Sequence, residues 1–392
     1  MLGLAENCKS CDSRSLFAIV RIMLNDSIDL QRIRRVLVIK LRHHGDVLLT
    51  SPVFALLKAR APHLEIDALV YQETAPLLRH HPAISNVHTI DRQWKRQGLR
   101  AQADAEWRLF RSLQARKYDL LVHLTEHYRG AWLRRLLGFE AAVARVRDDG
   151  NWLWRTSFSH YYSLPRQTPR HTAETNLDAL RRIGIYPEED EKRLVLVPGA
   201  QAEQRAEVLL TDHDLRKNGF IHIHPGSRWL FKCWPASQTA ELINQLGDGG
   251  WPVVLTAAPD PAEAGLIEKI LAKVHRPVVN LSGQLNLLEL AALTARARLF
   301  IGVDSAPMHI AAAMQTPVVV LFGPSGEHEW GPWQVPNRVV TSNHVCRPCG
   351  RDGCGGGKVS ECLTTLRVDP VLEAVYDLLR CTATTTAASA PP

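Results

Sequence analysis

From residue 35 onward, short unbroken apolar runs alternate with longer segments whose apolar positions recur every three or four residues. RVLVIKL predicts a strand, VLLTSPVFALLKARA a helix, and EIDALVY a second strand. A second cycle follows, with a short helix in APLLRHHPAI, a strand in VHTID, a long basic helix over 101–116, and a strand in YDLLVHL. Apolar strands separated by amphipathic helices specify a parallel sheet covered on both faces. Residues 151–170 are aromatic and proline-containing, and HTAETNLDALRRIGI predicts a helix that stops at Gly184.

The same alternation restarts with GFIHIHPGS at 219–227 and continues through PVVLTAAP, VVNLSG, LFIGVDS and PVVVLFGP, with predicted helices between them. The expected fold class is therefore α/β: two Rossmann-like doubly wound parallel-sheet domains in tandem. Such sheets bind ligands at the carboxyl ends of their strands, so two facing domains would share one cleft. The pattern divides the chain into an N-terminal appendage (1–33), a first domain (34–185), a polar junction (186–218) and a second domain (219–368). A C-terminal helix (369–381) and a disordered tail (382–392) complete it. TDHDL at 211–215 looks like a helix start.

Length and charge narrow the class. A chain of 392 residues exceeds one ordinary core, and 45% apolar with 22% charged residues is globular composition. No run approaches the ~18–20 apolar residues of a membrane-spanning helix. LFAIVRIML at 16–24 is short, carries Arg21 and lacks a following cleavage site, so neither a signal peptide nor an anchor is expected and the chain should be cytoplasmic. The net charge of +7 concentrates in 92–135. That field suits an anionic partner or a solvated helix face; Arg and Trp interleaved with Leu in WLRRLLGF point to lipid headgroups. No nucleic-acid-binding pattern accompanies the charge, so no nucleic acid is expected.

The strand ends hold the chemistry. In KLRHHGDVLLTSP, Gly45 permits a tight turn and Asp46 falls in the first turn of the next helix. Asp46 can cap that helix or take a proton from a hydroxyl nucleophile, and His43 and His44 can meet an anionic substrate or solvent. No G-x-G-x-x-G follows this strand, which disfavours a dinucleotide-dependent oxidoreductase or epimerase. In HIHPGSRWLFKCWP, Ser227 offers a hydroxyl and Arg228 and Lys232 positive charge, a seat for phosphate. In GVDSAPMHIAAA, Asp304 and Ser305 precede a helix of small residues whose first-turn amides suit a diphosphate; His309 points to the same end. Cys346, Cys349, Cys354 and Cys362 are spaced C-x2-C-x4-C-x7-C, unlike a ribbon of two paired knuckles, and packing as reduced thiols outweighs metal binding. Cys8 and Cys11 have no second pair. No D-x-D follows a strand, so a metal-independent reaction is expected.

These motifs together resemble the ADP-heptose:lipopolysaccharide heptosyltransferase family, glycosyltransferases with the two-domain GT-B architecture, over about 34–381. RHHGDVLLTSPVF, EIDALVY, HHPAISNVHTID and CRPCGRDGCGGGKVSECL look most like the heptosyltransferase III type, which adds a branch heptose to the second inner-core heptose. The resemblance implies an inverting transfer from ADP-heptose, with no cofactor, at the cytoplasmic face of the inner membrane. It makes Asp46 the general base and Lys232 the cation on the donor diphosphate. Ser227 lies in the neighbouring phosphate turn, Asp304, Ser305, Ala306 and Pro307 match the donor loop, and His309 follows it. His43, His44 and Gly45 would lie on the acceptor side. Heptosyltransferases I and II are the alternatives within the family. A two-domain binding protein without enzymatic activity is a further one, although a signal peptide would be expected of it.

Overall fold

The computed structural model describes residues 26–164 and 169–388, with side chains through 383. Two six-stranded, wholly parallel sheets are present. The first contains β1 (Arg35–Lys40), β2 (Glu65–Tyr71), β3 (Asn86–Ile90), β4 (Leu120–His123), β5 (Ala141–Arg145) and β6 (His160–Tyr162), in the order β3-β2-β1-β4-β5-β6. The second contains β7 (Ile221–His224), β8 (Val253–Leu255), β9 (Val279–Asn280), β10 (Leu299–Val303), β11 (Val318–Leu321) and β12 (Asn337–Val340), in the order β12-β11-β10-β7-β8-β9. Both orders are the same doubly wound pattern. Each reverses direction between its first and fourth strands, where the loops diverge and a ligand crevice opens.

The central strands form because their side chains are apolar on both faces. In β1, Val36, Leu37, Val38 and Ile39 are all fully buried, aligned with Ile66, Asp67, Ala68 and Leu69 of β2. Asp67 is the exception in this layer. Its carboxylate takes bonds from Arg116 and Tyr118 (both 2.7 Å), which satisfies the buried charge. The predicted helix after β1 is in fact two, His44–Leu48 and Ser51–Arg60. Pro52 causes the break, since it has no amide for the Leu48 carbonyl but is tolerated in a first turn.

Several boundaries differ from expectation. Within the expected appendage, residues 26–33 dock on the first domain: Ile33 is buried in its core, Ile28 and Leu30 pack on it, and the Ile28 amide donates to Ile183. Residues 1–25, including LFAIVRIML, Cys8 and Cys11, lie outside the described residues, as do 389–392. The polar junction contains a helix, Ala200–Asp212, so TDHDL begins at a helix end rather than a start. Ala202, Ala206, Leu209 and Leu210 give this helix one apolar stripe, buried in the second domain, and Arg296 ties its outer face through Glu203 and Glu207. The terminal helix runs Val368–Ala388, past the expected stop at 381, because 381–388 contains no glycine or proline to end it. Among the described residues, no helix is long and apolar enough to cross a membrane.

The two domains meet through a shared core. Leu48, Leu49 and Leu77 of the first pack with Leu288, Met308 and Ile310 of the second. This contact sets the carboxyl edges of both sheets opposite one another.

Candidate active site

Between those edges lies a cleft of about 1270 Å³, larger than the ~300–1,000 Å³ of typical small-ligand pockets. Every residue singled out at the strand ends lines it: His43, His44, Gly45 and Asp46 on one side, Ser227, Lys232, Asp304, Ser305, Ala306, Pro307 and His309 on the other.

The first wall hangs from the end of β1. The Leu41 amide donates to Thr125 Oγ1 at 2.8 Å. Lys40 is buried, its ammonium donating to the Leu124 carbonyl (3.2 Å) and Asn176 Oδ1 (2.9 Å), and burial pushes its pKa down to about 8. The turn anchored in this way enters helix His44–Leu48 with His43 at the N-cap, so Asp46 is not the capping residue. Its carboxylate makes no hydrogen bond or ion pair among the described residues and borders the cleft. His44 is tied by Nε2 to the Glu73 carbonyl at 3.0 Å. His43 accepts at Nδ1 from Arg228 (3.1 Å) and stands edge-on to Trp229, with ring centroids 5.5 Å apart. Burial, then the Arg228 cation, holds His43 below the usual imidazole range, so it reaches the cleft neutral.

The second wall comes from the ends of β7 and β10. Behind the PGSR turn, His224 and Glu263 form a buried pair at 3.6 Å, and the Glu263 carboxylate also accepts from the Ala258 amide at 2.8 Å. That carboxylate packs directly beneath Gly226, leaving no space for a side chain there. Ser227 is buried and accepts from the Trp229 amide at 3.4 Å. Lys232 donates to Asp304 Oδ2 at 2.5 Å, with its ammonium 5.0 Å from the Trp229 ring centroid.

Ser305 is the N-cap of helix Ala306–Ala313 but makes no capping bond; its Oγ is buried without a partner. His309 is buried too, with Nδ1 unpartnered, and burial pushes its pKa down to about 4. Each unsatisfied buried polar atom costs ~1–3 kcal/mol. Two lie at one helix start, where a polar ligand in the cleft could satisfy them. The domains touch here: a Cβ at Gly45 would lie 2.7 Å from Cδ2 of His309.

The sequence reading overlooked Trp229, which links Lys232 to His43, and the supporting His224–Glu263 pair. It also missed a second point of close approach, His80 against Gly199, whose φ of 86° already requires glycine. HIHPGSRW did signal a ligand turn, but its neighbours come from distant segments.

None of the four clustered cysteines lines the cleft, although their segment packs behind the Lys232 turn, where Ser360 Oγ donates to the Phe231 carbonyl at 2.6 Å. Cys346 and Cys354 are exposed, Cys349 is half-buried, and Cys362 is buried, which raises its thiol pKa. Among the described residues, no three His, Cys, Asp or Glu side chains gather in an arrangement that could hold a metal ion.

Comparison with known proteins places this cleft in a family. The family model "Glycosyltransferase family 9 (heptosyltransferase)" matches residues 106–359. Lipopolysaccharide heptosyltransferase 3 of Escherichia coli is 35% identical over 299 residues, 75% of this chain and 84% of that protein. Lipopolysaccharide heptosyltransferase 1 of Pseudomonas aeruginosa is 27% identical, with 82% and 87% covered. Among solved structures, E. coli ADP-heptose lps heptosyltransferase II shares the fold at a TM-score of 0.70 and 22% identity, covering 89% of this chain and 99% of that one. The two-sheet, single-cleft architecture is thus GT-B, and the chain belongs to glycosyltransferase family 9, the heptosyltransferases.

Proposed function

We propose that this enzyme is an inverting heptosyltransferase of type III, moving L-glycero-D-manno-heptose from ADP-heptose onto the second heptose of the lipopolysaccharide inner core. One observation carries the mechanism: an unpaired carboxylate on the first domain borders the same cleft as a cation and two unpartnered buried polar atoms on the second. In this reading the ADP-sugar lies along the second wall. Lys232 turns from Asp304 to the diphosphate, the Ser305 hydroxyl and the Ala306 amide complete the phosphate seat beside Pro307, and Asp304 is freed for sugar hydroxyls. Ser227 borders the phosphates from the adjoining turn.

Asp46 accepts the proton of the acceptor hydroxyl as its oxygen attacks the anomeric carbon from the face opposite the diphosphate. The carbon–oxygen bond to ADP breaks, ADP leaves with the bonding pair, and the anomeric configuration inverts. Lys232 and the helix amides stabilise the growing charge on the leaving group where water is excluded. His309, neutral and buried beneath Gly45, lets the two walls close without adding charge. Charge neutralisation by Lys232 and Arg228 makes a metal cofactor unnecessary in this scheme. In this reading the enzyme works at the cytoplasmic face of the inner membrane as a peripheral protein.

Purified enzyme incubated with ADP-heptose and inner-core acceptors carrying one, two or three heptoses tests the reading. The expected outcome is one heptose added to the two-heptose acceptor alone. Transfer to the one-heptose acceptor would reassign it as type II, and no transfer to any of them would refute it.

A further inference from the structure

The first domain carries a second concavity, of about 690 Å³, between helices Leu99–Arg116 and Arg129–Leu137. Each helix has two apolar stripes where packing on the sheet needs one. On the longer helix, Ala105, Leu109 and Leu113 are buried, Leu109 and Leu113 flooring the groove, and Ala103, Trp107 and Phe110 continue its lining outward. Trp132 and Leu136, one turn apart, line it from the other helix. Trp107, Trp132 and Leu136 are 57%, 55% and 59% exposed, unusual for side chains of this size.

The surroundings are strongly basic. Between 92 and 137 there are eleven Arg and Lys residues against four Asp and Glu. Arg111 stands 5.8 Å from the Trp107 ring, and Arg135 lies over the exposed Trp152 at 4.7 Å. Tryptophan beside arginine, around an open apolar trough, matches the boundary between headgroups and acyl chains. The groove also has a defined relation to the cleft. It begins at His127 and Tyr128, in the loop leaving β4, and that loop's Thr125 is bonded to Leu41 at the end of β1. The groove therefore opens at the sheet edge that presents Asp46.

We propose that this groove and its basic rim seat the enzyme on an anionic lipid bilayer. Trp107, Trp132 and Leu136 enter the acyl boundary, and the arginines meet headgroup phosphates. The inference builds on the heptosyl-transfer reading, since a lipid-anchored acceptor would then reach the cleft from the membrane side.

Full-length enzyme is sedimented with phosphatidylcholine vesicles, with and without phosphatidylglycerol, and tryptophan emission is recorded. Binding is expected only with the anionic lipid, weakening as salt rises, with a blue-shifted emission. Trp107→Glu/Trp132→Glu should lower partitioning at least ~10-fold. Arg108→Glu/Arg111→Glu, which changes exposed positions and leaves the groove floor intact, should lower it by roughly fivefold per removed charge. Transfer to a deacylated acceptor should be unchanged in both. Wild-type enzyme that ignores anionic vesicles, or variants that bind like wild type, would overturn the proposal. So would a wild-type dimer that the tryptophan variant converts to monomer, which would assign the groove to a second copy. Vesicle binding is read without any transfer reaction, so the two readings fail separately.

Discussion

Replacing Lys232 with alanine separates a structural role from a binding one. Its ammonium lies 2.5 Å from Asp304 Oδ2, with the two side chains 18% and 9% exposed. Removing the cation strands a nearly buried carboxylate, and breaking a buried pair from one side costs ~3–5 kcal/mol. The cleft admits water, so the lower end applies, about 3 kcal/mol. The same change removes the proposed partner of the donor diphosphate. A hydrogen bond to a charged group is worth ~1.5–3 kcal/mol, or roughly 10- to 150-fold in ADP affinity. Lys232→Met with Asp304→Asn distinguishes the two, because it deletes both charges. It should recover most of the lost thermal stability while ADP stays weakly bound. Scanning calorimetry and titration calorimetry with ADP measure the two quantities. A double variant that binds ADP within about threefold of wild type would refute the phosphate role, since the expected loss begins near tenfold.

Gly45→Ala tests the closed cleft. On helix propensity alone alanine would stabilise the first turn by ~0.5–1 kcal/mol. Its Cβ meets the buried His309 ring instead, so overpacking of ~1–3 kcal/mol should dominate, with lower turnover; a more stable variant of normal turnover would mean that the loops do not meet. Buried His123, His222 and His309, pushed to about 3, 3 and 4, give a pH signature. The unfolded chain takes up these protons near pH ~6.5 and the folded one only near 3–4, so stability held above pH ~6.5 falls as pH drops across that window. A melting temperature that stays level from pH 7 to 5 would contradict it, and His123→Phe should flatten the decline. Transfer should survive a chelator; loss of activity restored by zinc would reopen the cysteine segment as a metal site.

The legible parts of the fold were those where one physical signal dominates. β1, β2, β10 and β11 are continuous apolar runs because both sheet faces are covered. β12 escaped because it is partly exposed, with only Val340 buried within Asn337–Val340, β6 because it has three residues, and β5 because its buried centre, Ala142 to Ala144, is mostly alanine. Helix Ala200–Asp212 was hidden because its stripe is half alanine and its other face is glutamate and glutamine. The site was legible as turns, since Gly-Asp and Asp-Ser at strand ends carry their own chemistry. Its pairings were not. Lys232 and Asp304 are 72 residues apart, and Gly45 meets His309 only because two separate sheets face each other. Nor did local pattern show that Asp46 escapes capping, which depends on His43 taking the N-cap.

The central claim is that Asp46 deprotonates the acceptor. Single-turnover transfer by Asp46→Asn, a near-isosteric change that removes only the basic group, tests it most directly. The account predicts ADP affinity close to wild type and a transfer rate lower by ~100-fold or more. A transfer rate near that of wild type would contradict it.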